Sequence, residues 1–409
     1  MRKADPSKGE HGSYLLYSEG IDNDKDEQWN EDAAGGVDFN RNFPFNYQFF
    51  GPNAGIHQVS ENETRAIADF IFSKQNIAVV FSFSSNDNLT TPWRAEPRRT
   101  GTETPAVPPS AGSGFARSSM DEAARGPVTS VLEEDQPYYE FISKQFLDIT
   151  KLSGAPETKK GAGAFSEWVY YDVGRWSFSV RPWWAPEKAA KRDTAAGDQA
   201  RRTRPTMGSR TTQGATDQPV DEYAEQLKAL KWYDASGYKD VAVPWTKIKH
   251  PDFPDREVEI GGPKPFVLMN PPADSLNVFA QPYTKFLTYL AAQLPTVSLN
   301  NIKVEKVNDN VFRLTLDIVN NGYFPTNSAL GVRVRWPRNV YLTLDLGKGH
   351  SLASGKARQP LRAIKGNGNY QTMSWLIVGT AGSTVTLTAE SPMAGKATQT
   401  ITLREGGRQ

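Results

Sequence analysis

Two stretches of this sequence have residue types and spacing that could do chemistry. The first is Gly35-Gly36-Val37-Asp38-Phe39-Asn40-Arg41-Asn42-Phe43. Val37 and Phe39 alternate with polar residues, a pattern that predicts a strand delivering a fork-shaped cation and two amides to a sheet edge. A guanidinium between amides suits a carboxylate, because its N–H groups match the two carboxylate oxygens. The second stretch is Asp22-Asn23-Asp24-Lys25-Asp26-Glu27. Asp22, Asp24 and Asp26 can converge on one cation when a loop turns around it, as calcium loops do. A full calcium loop would want Gly where Glu27 stands and a carboxylate one residue beyond Asp32, so a solvated acidic loop is the competing reading.

The elements that must hold the first stretch follow it directly. Ser60-Glu61-Asn62-Glu63-Thr64-Arg65-Ala66 opens an amphipathic helix with Ile67, Phe70 and Ile71 predicted on its buried face. A strand over 77–83 comes next. Glu133-Glu134-Asp135-Gln136-Pro137 caps a further helix whose predicted buried face is Tyr138, Phe141, Ile142, Phe146 and Ile149. Trp176-Ser177-Phe178-Ser179-Val180-Arg181 alternates like a strand.

Taken in order, the words G-V-D-x-N-R-N-F, G-P, S-E-x-E-T-R-A and N-I-A-x-x-x-S resemble the carboxypeptidase A-like zinc metallopeptidase family. The resemblance implies hydrolysis of C-terminal residues from peptides, a zinc cofactor, and binding of the peptide's C-terminal carboxylate by Asn40 and Arg41. It also implies an extracellular or periplasmic location, although no signal-peptide pattern follows Met1-Arg2-Lys3.

At the positions the family needs for chemistry, the sequence departs from it. Zinc peptide hydrolysis needs three N/O ligands, an open fourth position and a carboxylate base. The family supplies two ligands from an H-x-x-E word, and none of the 4 histidines stands in one. His57 and His250 read as loop residues, and His11 and His350 likewise precede no such word. Counting back from Pro92 puts Phe83 or Ser84 where the family has its third ligand, a histidine. The strand word ending at Arg181 puts an arginine where the family has its general-base Glu, and a guanidinium cannot accept that proton. The expectation is therefore an inactive relative that keeps Asn40, Arg41 and Arg181 as a carboxylate pocket for peptides with a free C-terminus. Zinc is not expected and calcium is the metal the acidic loop admits. Two alternatives stay open: a fragment of a working enzyme whose first ligands lie upstream, and a surface binding protein that acts through its C-terminal region.

Composition bounds the partners. Lys+Arg 47 against Asp+Glu 46 gives a net charge of +1, so no bulk field recruits nucleic acid. The absence of cysteine excludes disulfides and thiolate metal sites. No apolar run has the roughly 20 residues of a membrane helix.

The fold class expected is α/β, a mixed-sheet α/β/α carboxypeptidase-like domain over 1–294 that is N-terminally incomplete. An all-β immunoglobulin-like sandwich is expected over 296–409. Low-complexity insertions interrupt the first domain near 95–136 and 187–218. Helices are predicted over 220–232 and 275–294, and sandwich strands over 301–307, 311–319, 330–335, 373–378 and 383–389. Glu257 and Glu259 read as structural, and Trp183-Trp184 as core rather than a ligand wall.

Overall fold

The computed structural model describes residues 4, 9–15, 37–51, 53–96, 128–156, 161–185, 222–264, 266–268 and 270–404. The predicted calcium residues Asp22, Asp24 and Asp26, and most of both insertions, lie outside them. The chain forms two compact units. One comprises Met1–Ala33, Leu152–Lys159 and Pro182–Phe279, and the other Ala34–Lys151, Lys160–Arg181 and Ala280–Gln409.

In the second unit, helix α1 (Asn62–Ser73) leads to strand β1 (Val79–Phe83). Helix α2 (Gln136–Thr150) and helix α3 (Phe165–Tyr171) precede strand β2 (Trp176–Val180). β1 and β2 pair in parallel, with Val79 opposite Trp176 and Phe83 opposite Val180. All five residues of β2 are buried, as a strand covered on both faces requires.

The helices exist where their apolar periodicity predicts, but their faces are rotated. α1 buries Thr64, Ala68 and Ile71, leaving Ile67 and Phe70 exposed. α2 buries Tyr139, Ile142, Ser143, Phe146 and Thr150. Tyr138 and Phe141, expected in the core, are half-buried, and their rings meet Tyr323 at 5.4 and 4.4 Å.

The C-terminal region of this unit is built from two four-stranded sheets. β5 (Val297–Asn308), β6 (Val311–Asn320), β10 (Asn369–Val378) and β8 (Ser351–Ser354) form one, in that spatial order. β12 (Gly395–Thr402), β11 (Thr384–Ser391), β7 (Tyr341–Asp345) and β9 (Arg358–Pro360) form the other. Phe312, Leu314, Leu316 and Ile318 of β6 share one core with Leu342, Leu344, Val385 and Leu387. This is consistent with a β-sandwich.

One predicted strand is a helix. Residues 330–335 alternate like a strand, yet Ala329–Val334 forms a short helix. The Ser328 hydroxyl accepts the Gly331 amide at 2.8 Å, capping its start, and Arg335 at φ 62° ends it. A local cap outweighs the strand preference of Val332 and Val334.

The first unit contains a helix, Glu222–Ala235, and an antiparallel hairpin of β3 (Ala242–Ile248) and β4 (Val258–Pro263). Trp183 packs with Tyr233, Trp232 and Tyr238. Trp183 and Trp184 are buried, as core residues are. Glu257 pairs with Lys247 at 2.9 Å on the surface.

Candidate functional site

The Asn40-Arg41-Asn42 stretch is not a strand. Asp38 Oδ1 accepts the Asn40 amide at 2.8 Å, and the chain turns through a single 3-10 turn, Phe39–Arg41. A short carboxylate side chain offers the backbone a local partner that competes with a sheet ladder, which is why alternation misled here.

The turn is held from behind by Asn42, which is fully buried. Its Nδ2 donates to Ala54 O at 2.8 Å, to Ser60 Oγ at 2.9 Å and to His57 O at 3.1 Å. Its Oδ1 accepts Thr64 Oγ1 at 2.7 Å and the Glu61 amide at 3.4 Å. One side chain thus ties the turn to the start of α1. The Val59 amide donates to Asn42 O at 2.7 Å, holding a β-branched residue at φ 54°.

A glycine loop braces the other side. Phe43 N donates to Gly163 O at 3.0 Å, and Gly163 N to Phe45 O at 2.9 Å. Gly163 sits at φ 76°, and a Cβ there would run into the Arg41 carbonyl. A Cβ on Gly161 would likewise meet the Asn86 side-chain amide. Residues 161–163 therefore bring together the Asn40-Arg41 turn and the loop after β1. Asn40 Oδ1 accepts the Phe165 amide at 3.4 Å, and Arg41 is half-buried.

Ser84 and Arg181 leave two neighbouring parallel strands, because Phe83 is in register with Val180 and the Ser84 amide donates to Val180 O at 3.0 Å. Phe83 is 52% exposed and its ring meets Tyr283 edge-on at 5.1 Å. The Asn86 amide donates to Ser84 Oγ at 3.1 Å.

The group that organises these strand ends is Asp87, which sequence reasoning missed. It is 4% exposed and accepts the amides of Leu89 and Thr90 at 2.8 Å each and the Thr90 hydroxyl at 2.7 Å. The Arg181 backbone amide donates to it as well. Burial pushes the Asp87 carboxyl above the usual carboxylate range, and these hydrogen bonds oppose that shift. Beside it, Asn88 Nδ2 donates to Ser177 O and Asn88 Oδ1 accepts the Ser179 amide, both at 2.9 Å. The signal in the sequence was the Asn86-Asp87-Asn88 run directly after a strand, where such side chains bond to backbone.

These residues do not fit a zinc ion. A phenyl ring, a hydroxyl already bonded to its own loop and a guanidinium stand at the positions compared above, and none is a usual zinc ligand. Among the described residues, no three His, Cys, Asp or Glu side chains form a group that could hold a metal. Among them, too, no helix is long and apolar enough to cross a membrane.

Comparison with known proteins gives two family matches. Residues 15–186 match the zinc carboxypeptidase family, and residues 296–402 match a domain of unknown function. No curated protein matches the chain. One similar solved structure is DesR, a β-glucosidase from Streptomyces venezuelae in complex with D-glucose. It is 11% identical, the match covers 26% of this chain and 15% of that one, and the TM-score of 0.15 supports no argument. Residues 15–186 are thus a zinc carboxypeptidase-family segment, carried in one chain with a separate C-terminal domain of unknown function.

Proposed function

We propose that the zinc carboxypeptidase-family segment is a binding relative of that family, one that recognises the free C-terminal carboxylate of a peptide and does not hydrolyse it. Asn40 and Arg41 receive the carboxylate, with Arg181 as a second cation. The observation that carries this reading is the register of Phe83 with Val180, which sets Ser84 and Arg181 side by side at the strand ends. A hydroxyl and a guanidinium there favour holding an anion over activating a water. The family's action on peptides supports the choice of ligand. In the same reading the protein works outside the cytoplasm, the division between catalytic-type domain and sandwich lies at 294–296, and the sandwich is immunoglobulin-like.

Calorimetry with paired peptides tests it. Free C-termini bind, amidated peptides bind at least about tenfold more weakly, and Arg41→Ala removes the difference. Equal binding of both forms refutes the carboxylate site. Shortening of the free peptide in a metal-dependent way refutes the loss of hydrolysis.

A further inference from the structure

Among the described residues Arg175 is the buried cation, and the proposed carboxylate site does not use it. It stands immediately before β2, and it is only 2% exposed. Its Nη2 donates to Gln75 O at 3.2 Å and its Nη1 lies against Met393 Sδ. A guanidinium carries five N–H donors and a full positive charge. One carbonyl and one thioether leave that charge uncompensated. Among the described residues no Asp or Glu forms an ion pair with it. Burial alone shifts its acidity, down to about 10, with no carboxylate contributing an opposing pull.

A buried charge without a partner is strongly unfavourable, and proteins resolve such sites by pairing them. A narrow cleft opens against Arg175, walled by Ala78, Trp176, Pro325, Thr326, Asn327 and Met393. Its free space is that of about one water-sized particle. Two further polar groups in its wall are unsatisfied. The Trp176 indole N–H is buried without a partner, and so is the Asn327 side-chain oxygen Oδ1. Asn327 bonds to Asn339 through its other amide atom at 2.9 Å. With N and O of both amides exchanged that bond is kept and the unpaired atom becomes Nδ2, a donor, and an anion in the cleft requires that orientation.

We propose that this cleft binds one small monovalent anion of halide size, such as chloride, with the Arg175 guanidinium as its counter-charge and the Trp176 indole and Asn327 amide as neutral donors. The available space decides the ligand class. Phosphate, sulfate and peptide carboxylates are larger than a water-sized cleft, while a halide fills it. The site joins β2 to the 325–328 segment and to Met393 in the turn between β11 and β12, so the bound ion stabilises that junction. It is independent of Asn40 and Arg41, and neither reading depends on the other.

The test uses the full chain at constant ionic strength, with sodium chloride exchanged for sodium gluconate, whose anion is too large for the cleft. The melting temperature is expected to rise with chloride and to saturate, as ligand linkage requires. Arg175→Met keeps most of the side-chain volume and removes the charge, so its melting temperature should not respond to the anion. Trp176→Phe keeps an aromatic ring and removes the N–H, and should raise the half-saturating chloride concentration about fivefold. Crystals grown in bromide give a readout that needs no variant: an anomalous peak beside Arg175 is expected. Identical melting in chloride and gluconate for the unmodified chain overturns the proposal, and so does bromide density absent from the cleft.

Discussion

The Asp135 carboxylate accepts the Ala329 amide at 2.8 Å and the Leu330 amide at 3.1 Å. It also accepts the Tyr170 hydroxyl at 2.9 Å. Asp135 stands at the N-terminus of α2, yet its side chain does not cap that helix. It caps the short helix Ala329–Val334 instead, fastening the family-matched segment to the C-terminal sheets. Removing it leaves two amides and a hydroxyl without their acceptor. Asp135→Ala should lower stability by about 3 kcal/mol, and Asp135→Asn by less, because one oxygen remains. Urea unfolding of the two variants measures the difference, and equal losses would contradict this role.

Asn42 should behave as a fixed neutral hub. Its Nδ2 faces the carbonyls of Ala54 and His57, while its Oδ1 faces a hydroxyl and an amide. Asn42→Ala loses these bonds and should cost about 2–4 kcal/mol. Asn42→Asp should cost more than Ala at neutral pH, since it places a negative charge against two carbonyl oxygens. Thermal denaturation at pH 7 ranks the two, and an aspartate more stable than alanine would refute the assignment.

Gly163 shapes the turn of the proposed carboxylate site. It is at φ 76°, and a Cβ there collides with the Arg41 carbonyl. Gly163→Ala is expected to fold less stably by about 1–3 kcal/mol and to bind free C-termini more weakly. Gly174→Ala offers a control in the same unit. It also sits at positive φ, 71°, and its Cβ would lie 2.7 Å from Gly331 Cα. It should destabilise similarly while leaving peptide affinity in the folded fraction unchanged.

Alkali should unfold the second unit through its tyrosines. Burial raises Tyr139, Tyr170, Tyr171 and Tyr283 above the ordinary value of 10, and pushes Tyr323 up to about 12. The folded state therefore keeps these protons after the unfolded chain has lost them. Their stabilising contribution is complete below pH 10 and is lost as the pH rises from 10 through 12. Unfolding free energies across that interval should fall steadily, and Tyr170→Phe should flatten the fall.

The types of the decisive residues were fixed by sequence alone. Arg41 beside two asparagines, Phe83-Ser84 at the end of one strand and Arg181 after another can be read without coordinates, as can the missing H-x-x-E word. Apolar periodicity also located α1, α2, β1, β2 and four of the eight strands of the C-terminal sheets, β5, β6, β10 and β11, because burial of one face imposes a period on the chain. Tertiary structure decided what those residues meet. The Asp38 carboxylate turned an expected strand into a 3-10 turn, and Ser328 turned another into a helix, because a side-chain cap acts over two or three residues where alternation needs five. The partnerships of Asp135 with Ala329 and of Asn88 with Ser177 and Ser179 span 194, 89 and 91 residues. No local pattern encodes pairings at such separation. Nor could periodicity show that Arg175 is buried without a carboxylate beside it, since burial of a charge depends on what the rest of the fold brings to it.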